Sequence, residues 1–166
     1  AATGTAASTG AALRPLLLVG AGVAFLALLA QVRLQIGPVP FTGQTLGVLL
    51  LGAAYGARLG AVTAGTYALL GVAGLPLFAG GGSGLAYLLG PTGGYLVGFV
   101  VAAGLLGLLA QRGWDKTYVR AACAMLLATV VIYLFGVGWL TVALGGDLSA
   151  ALVAGLGPFV VGDLIK

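Results

Sequence analysis

Charge is what this chain has least of. Of its 166 residues, seven are Lys or Arg and three are Asp or Glu, 6% in all, where a soluble domain carries about 25%. So few charges cannot keep a surface in water when 61% of the residues are apolar. A soluble enzyme, a nucleic-acid-binding module and a secreted disulfide domain are therefore all disfavoured. Histidine is absent, which removes the commonest general base and the commonest metal ligand. No metal and no cofactor are expected. The single cysteine, Cys123, has no partner for an intrachain disulfide and reads as a small core residue. The net charge of +4 marks no nucleic-acid site, because the basic residues form no patch or stripe.

What the chain does have is glycine, 31 residues of it, and long apolar runs. These point to an all-α, polytopic membrane protein. Residues 1–13 lack the basic start and apolar core of a signal peptide and read as a flexible cytoplasmic tail. Residues 14–166 read as a single transmembrane domain. The first span covers about 14–36, with Pro15 near its start. Pro38 and Pro40 then stop any helix. Two short helices, about 44–56 and 61–75, are expected to join at Arg58. Each is short for a hydrocarbon core of about 30 Å at about 1.5 Å per residue. Irregular backbone follows over 76–92, rich in Gly and Pro. A fourth span (94–110), a charged loop and a fifth span (119–144) come next. Asp147 and Ser149 form a plausible helix start, and Pro158 opens what reads as a sixth, truncated helix.

In this arrangement Arg14, Arg58, Arg112, Lys116 and Arg120 share one side, with Arg33 on the other. The positive-inside rule then places the N-terminus in the cytoplasm and both irregular stretches outside.

Three features could carry chemistry. Asp163 and Lys166 are three apart, hence on one helix face, in a segment otherwise apolar. Ionisable groups there face a cavity or one another; an interfacial ion pair is the plainer alternative. Second, non-helical backbone at membrane depth is tolerated only where it is buried or lines a cavity. The Gly-rich run 80–84, with Gly82 and Ser83, and the segment around Thr92 could so present backbone groups or close as a lid; a plain surface turn is the alternative. No phosphate-loop pattern is present. Third, small residues recur at four-residue spacing, as at Gly20 and Ala24. They suit internal packing or a partner helix. Phe41, Phe78, Tyr87, Tyr95 and Phe159 fall towards the external half as possible pocket walls. Trp114 and Tyr118 lie at the opposite interface. A hydrolase fails on inventory, since its serines have no histidine.

Four ordered motifs now stand together: Val-Pro-Phe-Thr-Gly-Gln-Thr-Leu at 39–46, Gly-Val-Ala-Gly-Leu-Pro-Leu-Phe-Ala-Gly-Gly at 71–81, Gly-Pro-Thr-Gly-Gly-Tyr-Leu at 90–96 and Pro-Phe-Val-Val-Gly-Asp-Leu-Ile-Lys at 158–166. In these the chain resembles the BioY family, the biotin-specific S-components of energy-coupling factor (ECF) vitamin importers. The resemblance covers nearly everything from Arg14 onward. It implies a six-helix bundle in the cell membrane that binds biotin near the external face, under a lid from the first loop and the 76–92 loop. The family's Asp-x-x-Lys motif falls on Asp163 and Lys166. The candidate binding set is Asp163, Lys166, Tyr95, Thr92, Gly82, Ser83, Phe78, Phe41 and Gln44. The resemblance also implies a T-component and two ATPase subunits as partners, met through Gly20 and Ala24, where the family usually has an Ala pair. The alternatives are the same architecture for another vitamin, or a homo-oligomeric passive pore.

Overall fold

The computed structural model describes the backbone of residues 4–35 and 38–165 and the side chains of residues 13–35 and 38–157. Among the described residues, six α-helices, α1 (Gly4–Gln31), α2 (Gln44–Val72), α3 (Leu85–Leu89), α4 (Gly93–Gln111), α5 (Tyr118–Ala143) and α6 (Leu148–Ile165), are joined by loops and one minimal hairpin. In the hairpin, β1 (Arg33–Leu34) pairs antiparallel with β2 (Phe41–Thr42). Among the described residues, four stretches are long and apolar enough to cross a membrane: Leu13–Gln31, Gln44–Val72, Gly93–Gln111 and Tyr118–Ala143.

One of these is not a single rod. Gly56 in α2 has φ 77 and ψ 175, a region open only to glycine. A straight helix would separate residues 44 and 67 by about 34 Å, yet the Gln44 side chain donates a hydrogen bond of 2.8 Å to the Tyr67 hydroxyl. The element is therefore a helical hairpin of two arms, 44–55 and 57–72, about 18 and 24 Å long. The bundle thus has six membrane-directed segments. The two short helices expected from the sequence are present, but they turn at Gly56 and not at Arg58. Glycine permits the turn, and the arginine side chain is exposed beside it.

Apolar burial does little to join helices in lipid, because acyl chains are as apolar as leucine; close van der Waals packing does it instead. The glycines supply that closeness. A Cβ on Gly60 would lie 3.2 Å from the Gly52 Cα, and one on Gly52 only 2.8 Å from the Ala103 carbonyl oxygen of α4. On α4, Gly107 meets the backbone at Gly56 and Ala57, and Gly98 meets Ile132 of α5. So α4 is central, packed on both arms of α2 and on α5. On the other flank, α1 closes on Thr63 and Tyr55 through Gly22.

Some local expectations need correction. Pro15 lies well inside α1, which begins at Gly4, whereas the sequence places it near the start of the helix. The final helix starts at Leu148 and runs through Pro158, so the stretch before that proline belongs to the helix. Its start is capped as expected. An Asp147 carboxylate oxygen accepts from the Ala150 N–H at 2.9 Å and from the Ser149 hydroxyl at 2.7 Å. These bonds hold the carboxyl below its ordinary value. Cys123 is exposed on α5 and is not a core residue, because the buried seam of α5 runs through Ala124, Ala128 and Ile132.

Candidate ligand cavity

At the end of the bundle where the β1–β2 hairpin sits, the described residues of the first loop (32–35 and 38–43) and the loop 73–92 fold over the helix ends. Beneath them is a cavity with about 430 Å³ of empty space, counting the part open to solvent. Val39, Pro40 and Thr42 line it from the first loop, and Gln44 and Thr45 from the start of α2. Phe78, Tyr87 and Thr92 come from the second loop, Tyr95, Leu96 and Phe99 from α4, and Tyr133 from α5. Apolar and aromatic walls carry a few fixed polar groups, the usual make-up of a small-molecule site.

Each wall has a local cause. The 90–96 motif is glycine-rich for steric reasons. A Cβ on Gly93 would run into the Leu88 carbonyl, and one on Gly94 into the Phe135 carbonyl and Trp139. With α4 seated there, Tyr95 lays its ring on Gly136, and its hydroxyl donates a 2.8 Å hydrogen bond to the Gly155 carbonyl of α6. The Trp139 indole donates to the Gly90 carbonyl at 2.9 Å, tying the second loop to α5. Phe78 is fully buried because Gly71 leaves room for its ring. Tyr87 stacks on it with centroids 4.7 Å apart.

The glycine run makes a compact turn. Phe78 N–H donates to the Gly82 carbonyl at 3.0 Å, Gly81 N–H to the Phe78 carbonyl at 3.0 Å, and Gly84 N–H to the Gly71 carbonyl at 2.7 Å. Those groups serve the loop itself, whereas the sequence suggests them as groups offered to a ligand. Gly82 lies under the Tyr87 ring.

Among the candidate residues, Gln44, Phe78, Thr92 and Tyr95 converge on the cavity. Phe41, Gly82 and Ser83 are not among its described lining residues; Phe41 packs instead against the core. The side chains of Asp163 and Lys166 lie outside the described residues. Gly20 and Ala24 are exposed on α1, and Gly20 has open space where a Cβ would stand. Sequence reasoning missed Val39, Pro40, Thr42, Thr45, Leu96, Phe99 and Tyr133. Thr42 and Thr45 sit within the 39–46 motif, which was the available signal. Tyr133 and Phe99 occupy apolar runs in which nothing distinguishes a wall from packing.

An outer vestibule shares Pro40, Tyr87 and Thr92 with the cavity and adds Arg33, Gln35, Pro38 and Pro91. The Arg33 guanidinium lies directly over Gly80, so this cation belongs to the mouth and is more than a loop charge. Among the described residues, no group of three or more His, Cys, Asp or Glu could hold a metal ion.

The BioY family matches residues 4–166. A probable biotin transporter BioY of Pyrococcus horikoshii is 40% identical over 149 residues, 90% of this chain and 86% of the relative. The biotin transporter BioY of Thermotoga maritima is 38% identical over 154 residues, 93% of this chain and 89% of the relative. Among solved structures, the S-component for biotin from an ECF-type ABC transporter superposes with a TM-score of 0.82 at 26% identity, covering 94% of this chain and 86% of that one. The apolar helical hairpin, the roofed cavity and the match across the whole bundle agree: this chain is a multi-pass membrane protein belonging to the BioY family.

Proposed function

We propose that this chain is the substrate-binding subunit of an importer that captures biotin at the external face of the membrane. The observation that carries the reading is the roofed, aromatic-walled cavity. Biotin has an apolar bicycle, a ureido group with donors and acceptors, and a carboxylate. Tyr87, Tyr95, Phe99 and Tyr133 offer faces to the bicycle, with the buried Phe78 ring backing Tyr87. Thr42, Gln44, Thr45 and Thr92 supply polar atoms on the same wall. Arg33 at the outer mouth attracts an anion on approach. Asp163 and Lys166, the positions matching the family's Asp-x-x-Lys motif, complete the ligand set as acceptor and donor. A T-component and two ATPases power release to the interior, docking on the exposed Gly20 and Ala24 face of α1.

Equilibrium binding of labelled biotin to the purified protein in nanodiscs is the test. Saturable binding is expected, with at least a tenfold loss in Asp163→Asn and in Lys166→Ala, as expected when a charged hydrogen-bonding partner of the ligand is removed. Wild-type affinity in both variants would remove the two residues from the site. Tighter saturation by another vitamin in a parallel panel would reassign the substrate. Flux through the bilayer without saturable binding would favour a pore.

A further inference from the structure

Tyr67 stands behind the cavity wall. It is 1% exposed, and among the described residues it does not line the cavity. Its hydroxyl nevertheless bridges two wall segments. It accepts from the Gln44 side-chain amide at 2.8 Å and donates to the Leu77 carbonyl at 2.9 Å. The Gln44 amide oxygen in turn accepts from the Thr42 hydroxyl at 3.0 Å. An unbroken relay thus runs from Thr42 in the first loop, through Gln44 and Tyr67, to Leu77 in the second. The Tyr67 ring also meets Phe78 edge-on, with centroids 5.6 Å apart.

We infer that Tyr67 is a positioning residue that locks the two roof loops into one unit, so that they open and close over the ligand together. The chemistry supports a lock. The Gln44 amide nitrogen binds a hydroxyl oxygen, and its carbonyl oxygen takes a hydroxyl proton. The side chain is therefore held in one orientation, and its bonds polarise one another along the chain. Breaking the link anywhere leaves a buried amide or carbonyl unpaired, a larger cost than the bond's net contribution. Two further ties act across the same gap. The Gln31 amide donates to the Phe78 carbonyl at 3.2 Å, and Arg33 covers Gly80. Tyr67 links the two loops through the interior, so it positions the wall of the cavity.

The ligand readout rests on the biotin reading; the structural readout does not. Tyr67→Phe keeps the ring and removes both hydrogen bonds. Without ligand, amide hydrogen exchange is expected to accelerate in both 38–43 and 77–82. Gln44→Met, which cuts the relay on the first-loop side only, is expected to accelerate exchange in 77–82 as well. The double variant should exceed neither single one by much, as coupled sites do. With biotin, dissociation is expected to quicken about tenfold in Tyr67→Phe, with association changed less than threefold. Exchange rising in only one loop in either variant, or additive effects in the double variant, would overturn the lock. A parent that fails to bind biotin would sink the function while leaving the exchange result to decide the relay.

Discussion

The sequence marks Tyr95 as a pocket wall, and its surroundings divide its ring from its hydroxyl. The ring lies on Gly136 and faces the cavity, while the hydroxyl binds the Gly155 carbonyl. That bond lets the hydroxyl tie α4 to α6, while the ring lines the cavity. Tyr95→Phe is therefore expected to lower stability by about 1 kcal/mol and to leave biotin affinity within about threefold. Tyr95→Ala removes the wall itself and is expected to cost at least tenfold in affinity. Thermal unfolding in detergent and titration of labelled biotin read the two effects separately. A tenfold affinity loss in Tyr95→Phe would show that the hydroxyl contacts the ligand.

At the scale of elements, the hairpin in α2 depends on one backbone conformation. The dihedrals of Gly56 are closed to any residue with a Cβ, and an added Cβ would also meet the Gln111 side chain 2.6 Å away. Gly56→Ala is expected to destabilise by about 1–3 kcal/mol from the dihedral strain, plus whatever moving Gln111 adds. Gly65 is the internal comparison. It is a helical glycine in the second arm, and a Cβ added there would meet nothing within 4 Å. Gly65→Ala is expected to be neutral or to stabilise by about 0.5–1 kcal/mol, because alanine has less chain entropy to lose. Unfolding of the two variants under identical conditions checks the contrast. Equal effects would mean that the turn at Gly56 tolerates a side chain and that the two arms are not held by it.

For the whole molecule, the membrane class, the number of spans and the roof loops were legible because each rests on composition or on proline and glycine. The seam of Gly52 and Gly60 was visible only as small-residue spacing, which does not reveal that α4 faces it. Phe99 and Tyr133 could not be assigned to the cavity, since an apolar run has no mark distinguishing one face from another. The placement of Arg33 depended on a long-range contact with Gly80, and no local pattern encodes that. Sidedness, by contrast, has a direct test. Gly56 lies against Gln111, so Arg58 and Arg112 share one end of the bundle, while Arg33 and Gly80 meet at the other. The greater basic charge belongs in the cytoplasm, which puts the roof of the cavity outside. In a Cys123→Ala background, Leu75→Cys is expected to react with a membrane-impermeant thiol reagent on intact cells. Thr117→Cys, beside Lys116 in the opposite loop, is expected to react only after permeabilisation. The reverse pattern would turn the cavity towards the cytoplasm, where it could not collect a nutrient from outside, and the importer mechanism would fail even with tight binding intact.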